Sequence, residues 1–385
     1  MEKLGALIQL VGASLSFFFL FLILSKRKKE HNDYILSAVF FIYFATLILS
    51  YTDSFNRNNG YPYPSLLNTS VPLILLHAPL IWLYIKSLTT PKFSFRLSYL
   101  VHFMPFLVAF ITMVATFYLL PSTQKVLVDS RALFVESFTF PMLVLLIALT
   151  NIVYYLWGLM LISRYQKLIQ SYFSEINAID LGWLMFLIKA TLASYLVISL
   201  LYLLNYFTGI LSYEMLQSLG YSLGAFYVVA LGFFGLRQTN IFVDSTAVIS
   251  IEAVEKLPIP STSISKADAI FVEQLLLFMN KSKPFLDSDL TIAKLAELQN
   301  VPTDYLSNIL NSSLGMNFYD FINRYRVEEF KKKCNEPQSS LFTLIGMAYD
   351  CGFNSKPTFN RVFKKETGLT PGQYYDSIVR QKSEL

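Results

Sequence analysis

The chain has 385 residues, of which 54% are hydrophobic and 15% charged, against ~25% charged in an ordinary soluble domain. That balance excludes a disordered chain and a wholly soluble globular one. The net charge is +5, yet residues 264–385 hold 15 Lys and Arg against 14 Asp and Glu, so global basicity carries no argument about partners.

Phe and Tyr crowd before residue 240. Seven apolar stretches there each approach the ~20 residues that a bilayer core requires: about 4–25, 34–51, 70–88, 97–120, 137–163, 184–207 and 218–236. The first is not a signal peptide by its flanks: only Lys3 precedes it, Lys26, Arg27, Lys28 and Lys29 follow, and no small-residue cleavage site appears. With the N-terminus outside, the inner side carries Lys26, Arg27, Lys28, Lys29, Lys86, Lys92, Arg96, Arg164, Lys167 and Arg237, and the outer side Lys3, Arg57, Lys125 and Arg131. This bias sets the orientation, and seven crossings from an outside start end inside. Pro72, Pro79, Pro105 and Pro141 are candidates to kink or break their helices. His77, Asn151, Lys189 and Asn205 lie at depth, with His102 nearer the inner end. They read either as a ligand cavity or ion path, or as interhelical hydrogen bonds with Lys189 reaching to the surface. Three histidines on separate segments argue against a metal site.

Residues 238–264 read as a linker. As a flexible coil, such a length spans ~30 Å, although Ile241, Phe242, Val243, Val248, Ile249 and Ile251 could equally form a packed connector. A helix is expected from Ser265, as cap, to about Asn280, with Ile270, Leu275, Leu277 and Phe278 as core candidates. A helix-turn-helix pattern comes next, from Leu290 to Leu310. Its second helix buries Leu306, Ile309 and Leu310 and offers Thr303, Ser307, Asn308 and Asn311, with no basic residue. A long helix over about 318–333 ends in Lys331, Lys332 and Lys333, which read either as a phosphate contact or as a solvated face.

The second helix-turn-helix pattern is sharper. An apolar helix with Ala348 at the crossing stops at Gly352, and a new helix starts behind Ser355 with Pro357 in its first turn. It buries Phe359, Val362 and Phe363 at i, i+3, i+4 and turns Asn360, Arg361, Lys364 and Lys365 outward. A hydrophobic anchor with donors on the opposite face is what a DNA recognition helix needs. Cys334 and Cys351 sit in this soluble part without a CxxC motif, which fits a reducing compartment.

Residues 285–376 resemble the DNA-binding domain of the AraC/XylS family of transcriptional regulators. The matching residues are Leu290, Leu295, Ala296, Tyr305, Leu306, Ser307, Gly315, Arg326 and Val327, then Ala348, Cys351, Gly352, Phe353 and Phe359, and the closing Phe363, Lys364, Thr367, Gly368, Thr370, Pro371 and Tyr374. The resemblance implies recognition helices in successive major-groove segments, with base contacts from Ser307, Asn308, Lys356, Asn360 and Arg361. The uncharged first recognition helix departs from the family pattern. In the apolar half, Pro79, Trp82, Tyr84 and Lys86, then His102 and Pro105, then Phe173, Ser174, Asp180 and Trp183 resemble the multi-span sensor region found ahead of such domains.

The expected fold is all-α: a seven-helix transmembrane sensor bundle over 1–237, the linker, and a double helix-turn-helix DNA-binding domain over 265–385. The expected DNA-binding residues are Ser307, Asn308, Asn311, Lys356, Asn360, Arg361, Lys364 and Lys365, with no catalytic residue, metal or cofactor. The expected location is the inner (cytoplasmic) membrane, with the C-terminal domain cytoplasmic. The expected partners are double-stranded DNA, the lipid bilayer, a second copy in a homodimer, a signal or ligand of unknown identity, and RNA polymerase. The leading reading is a membrane-embedded, sequence-specific regulator of transcription. The alternative is a transporter or channel with a DNA-binding tail. No Gly-rich phosphate loop, Ser/His/Asp set or carboxylate pair points to an enzyme.

Overall fold

The computed structural model describes residues 2–177, 179–236, 266–336, 338 and 341–383. They are helical, with no strand among the described residues. The linker expected over 238–264, and Ser265 as a helix cap, lie outside them. The chain divides into two compact units: Met1–Ser163 with Leu181–Asn240, and Arg164–Asp180 with Ile241–Leu385. The short segment Arg164–Asp180 thus belongs to the C-terminal unit, which residue composition alone does not indicate.

The first unit is built from α1 (Glu2–Leu24), α2 (His31–Asn58), α3 (Ser70–Thr89), α4 (Met104–Met113), α5 (Ser122–Ser130), α6 (Leu133–Glu136), α7 (Thr139–Tyr172, shared with the second unit), α8 (Gly182–Thr208) and α9 (Tyr213–Gly235). Seven helical segments are long and apolar enough to cross a membrane. The fourth, Leu97–Tyr118, is composite: a 3-10 segment, Leu97–Phe103, leads into α4, and a π turn, Val114–Tyr118, ends it. Gly12 lets α1 and α9 meet closely, since a Cβ there would lie 2.5 Å from Ala225 Cβ. Of the four prolines expected to kink helices, only Pro79 is inside one. Pro72, Pro105 and Pro141 fall in first turns, where the missing N–H has no intrahelical partner to lose.

Most of the polar residues at depth are tied locally. His77 Nε2 lies 3.1 Å from Thr46 Oγ1, and its ring stacks on Tyr43. Asn151 bonds the Ile147 carbonyl, Asn205 caps the end of α8 through Leu211 N–H, and His102 Nδ1 meets Tyr154 OH at 2.9 Å. Lys189 is exposed. The residues of the sensor-region resemblance on α3 and before α4 come together: Trp82 packs on His102 at 4.4 Å, with Lys86 Nζ 5.0 Å from the Trp82 ring centre. The second helix is longer than its apolar stretch and brings Asp53 and Arg57 into its last turns. Arg57 grips Asp129 with two bonds of 2.9 Å and donates to Gln217 at 2.7 Å. A cavity of about 370 Å³ lies among α2, α3, α7, α8 and α9, lined by Tyr43, His77, Tyr195, Tyr202, Tyr221 and Tyr227 among mostly apolar side chains.

The second unit holds α10 (Lys266–Ser282), α11 (Ile292–Leu298), α12 (Thr303–Ser313), α13 (Phe318–Asn335), α14 (Leu344–Asp350), α15 (Lys356–Thr367) and α16 (Pro371–Ser383). The core stripe of α10 differs from the expectation. Leu275 and Met279 are buried and Phe271 and Phe278 pack against them, while Ile270 and Leu277 are exposed. The buried set runs i, i+4, i+7, i+8, one face of a 3.6-residue helix; Ile270 and Leu277 lie off that face. Helix α13 joins two lobes. Its Phe321 and Ile322 enter the first core with Leu295, Leu306 and Leu310. Its Phe330 packs on Phe359 at 4.7 Å and Phe363 at 5.3 Å in the second.

The two helix-turn-helix units repeat one local design. Each first helix is seven residues long and ends with a bond to an alanine carbonyl: Val301 N–H to Ala296, and Phe353 N–H to Ala348. Each turn needs a left-handed residue, Asn300 (φ +53) in the first and Gly352 (φ +91) in the second. Asn300 is exposed, so a side chain fits. At Gly352 a Cβ would meet the Phe285 carbonyl at 2.3 Å, so only glycine fits. Caps mark the starts: Thr291, Asn317, Thr343 and Ser355 each accept a backbone N–H three residues on. Thr370 and Gln373 form a reciprocal capping box ahead of α16.

Gly352→Ala is therefore expected to destabilise the second unit by at least ~3 kcal/mol, from backbone strain plus overpacking. Amide hydrogen exchange of α14 and α15 in the detergent-solubilised chain measures it. Unchanged protection would contradict the packing of this turn.

Candidate DNA-binding surface

Helix α15 forms because Ser355 caps it, Pro357 presets its first turn and Gly368 (φ +76) ends it. Thr358, Phe359, Val362 and Phe363 are buried. The opposite face exposes Lys356, Asn360, Arg361, Lys364 and Lys365. Lys365 Nζ sits 2.7 Å from Asp320 Oδ1, and Arg361 Nη2 donates to Tyr319 OH at 3.2 Å. Burial pushes the Tyr319 phenol up to about 12 despite Arg361 beside it, so it keeps its proton at neutral pH. In α12, Asn308 and Asn311 are exposed and Ser307 half-buried, over buried Leu306, Ile309 and Leu310. All eight expected residues thus lie on the two second helices, five of them on α15. The Lys331, Lys332 and Lys333 run is engaged with acids instead. Its ammonium groups reach Glu328 at 2.8 Å, Glu329 at 3.9 Å and Asp350 at 3.2 Å, which favours a solvated structural face.

Behind this surface lies Arg326, with 0% exposure. Each of its five N–H donors has an acceptor. Nε donates to the Phe285 carbonyl at 2.8 Å. Nη1 donates to the Ser174 carbonyl at 3.2 Å and Asn323 Oδ1 at 3.3 Å. Nη2 donates to Ser174 Oγ at 3.1 Å and the Asp287 carbonyl at 2.8 Å. Burial lowers its affinity for the proton, to about 10, with Glu175 the main opposing charge; it is a cation at neutral pH. Two of the five acceptors come from Ser174, in the segment Arg164–Asp180.

That segment supplies further contacts that the motif reading missed. Phe173 pairs with Thr291 in an antiparallel bridge, and Ser174 Oγ donates to the Leu290 carbonyl at 2.7 Å. Thr358 Oγ1 donates to Glu175 Oε1 at 3.1 Å. Asn177 Nδ2 donates to Ser355 Oγ at 2.7 Å and to Thr358 Oγ1, while Asn177 Oδ1 accepts from Arg361 Nη2 at 3.2 Å. The only sequence signal near them was the resemblance through Phe173, Ser174 and Asp180. No group of His, Cys, Asp and Glu suited to a metal occurs among the described residues.

Sequence comparisons point to the same class of domain. A family model for a helix-turn-helix domain matches residues 295–377. An uncharacterized HTH-type transcriptional regulator of Staphylococcus aureus strain COL is 34% identical over 86 residues, 22% of this chain and 11% of that protein. One of Bacillus subtilis strain 168, YobQ, is 32% identical over 93 residues, 24% of this chain and 37% of that protein. The chain thus spans a minor part of these relatives. A protein of unknown function from Listeria innocua, of solved structure, is 26% identical over 27% of this chain and 94% of its own, with a TM-score of 0.24. Residues 295–377 are a helix-turn-helix domain, and its relatives are named HTH-type transcriptional regulators.

Cys334 and Cys351 are both fully buried, and burial pushes the Cys351 thiol up to about 12. Both are expected to resist a disulfide reagent in the folded chain. Arg326→Lys, which lacks the planar five-donor fork, should cost ~3–5 kcal/mol by breaking a buried charged network and make both thiols reactive. Equal labelling rates in Arg326→Lys and the parent chain would contradict the assigned role.

Proposed function

We propose that the chain is a membrane-embedded, sequence-specific DNA-binding regulator of transcription. The observation that carries this is α15: one face anchored by Phe359, Val362 and Phe363, the other presenting Lys356, Asn360, Arg361 and Lys364. Lys356, Asn360 and Arg361 read base edges, and Lys364 and Lys365 contact phosphates. Helix α12, with Ser307, Asn308 and Asn311, adds neutral donors and acceptors in the next groove segment. Near-neutral charge over 264–385 leaves limited electrostatic binding, so two tethered copies supply avidity.

The seven apolar helices cross the inner membrane with the N-terminus outside, and the charge bias puts the DNA domain in the cytoplasm. The signal is received in the first unit. Its cavity matches a small-molecule site in size. Among the described residues its lining contains no Asp, Glu, Lys or Arg, which suits an uncharged ligand and disfavours the ion path of a transporter.

Arg361→Ala is expected to remove specific binding, worth ~1–3 kcal/mol at one base pair, and Lys364→Ala to weaken all duplexes alike and lower the salt slope by ~1. Binding of the full chain to selected and scrambled duplexes over a salt series measures both. An unchanged specificity ratio in Arg361→Ala removes base reading from α15. Reporter fusions after Arg237 should be active only as cytoplasmic reporters; activity of a periplasmic reporter there would overturn the topology.

A further inference from the structure

The leading end of α15 is already occupied. In helix-turn-helix proteins the first residues of the recognition helix meet the base edges. Here Asn177 bonds Ser355, Thr358 and Arg361 together, and Glu175 accepts from Thr358. The side chain assigned above to a base edge therefore has its guanidinium turned to a residue from outside the matched domain, which begins at 295.

The contacts of 173–177 are of two kinds. Ser174 is buried and gives two acceptors to the fully buried Arg326; removing it would strand a buried cation. Asn177 is half-buried and Arg361 exposed, so water replaces their bond readily when it breaks. The first kind, with the buried Ile176 and the buried Thr358 that Glu175 contacts, anchors the segment; the Asn177–Arg361 bond is of the second kind and can open while the anchor stays.

We propose that Asn177 is an autoinhibitory latch on the recognition helix, held on a permanent anchor at Ser174 and the buried Ile176, and that DNA must displace its side chain to reach Arg361 and the start of α15. This rests on the DNA-binding reading and adds its regulation. The latch is joined covalently to α7, which lines the cavity with Phe140, Leu143 and Ile147 and whose last turns, from Arg164, belong to the second unit. A ligand that binds the latched and open states differently biases DNA affinity, and DNA reciprocally biases the ligand.

The test uses the full chain in detergent micelles and a duplex pool with a randomised centre, selected on the parent chain. Removing a hydrogen bond to a charged group shifts an equilibrium on the order of 10-fold. Asn177→Ala is expected to bind the selected duplexes ~10-fold more tightly than the parent, by the same conversion. Asn177→Asp should bind them more weakly, because its carboxylate holds Arg361 as an ion pair and accepts from the Ser355 hydroxyl. Affinity in Asn177→Ala equal to or below the parent's overturns the latch and leaves DNA binding intact. Affinity in Asn177→Asp at or above the parent's overturns it as well, should the alanine variant fail to fold. Retention of no duplex by any of the three chains overturns both the DNA reading and the latch.

Discussion

The second unit depends on one buried cation. Removing a guanidinium from water is costly unless every donor is satisfied, and Arg326 meets that condition only by drawing on four separate places. These are the carbonyls of Phe285 and Asp287 after α10, Asn323 on its own helix, and both oxygens of Ser174. The same Phe285 carbonyl excludes any side chain at Gly352, so the turn of the second helix-turn-helix closes directly on this network. One residue thereby sets how α10, α13, α14 and the segment after α7 meet.

Through Ser174, the DNA-binding domain gains a part from outside its own stretch of sequence. The duplicated helix-turn-helix is self-consistent, with matched seven-residue first helices, matched left-handed turns and matched alanine carbonyls. Its recognition helices are unequal. Helix α15 carries the charge, and it is α15 that residues 175–177 contact. In the proposed latch, the helix with most to offer DNA is the helix under control.

Much of this was legible from residues alone. The periodicity of Phe359, Val362 and Phe363, the Ser355 cap and the Gly352 turn are local signals, and each corresponds to a feature of the structure. So do the seven apolar helices, because hydrophobic length needs no partner to be read. The register of α10 was not legible: Ile270 and Leu277 are as apolar as Leu275 and Met279, and only the neighbouring core decides between them. Nor were the roles of Ser174, Glu175 and Asn177. They are short polar residues without periodicity, and their partners lie 116 to 184 positions away. The Arg57 and Asp129 pair was hidden for the same reason, since α2 runs past the end of its apolar stretch.

The central claim is that DNA and Asn177 compete for α15 while the Arg326 anchor persists. Hydrogen exchange of the full chain, with and without a selected duplex, tests it most directly. The account predicts that DNA accelerates exchange in peptides covering Asn177 while 290–296 and 321–330 stay protected. Greater protection around Asn177 on DNA binding would contradict it, because the segment would then be part of the DNA-bound surface and no obstacle to it.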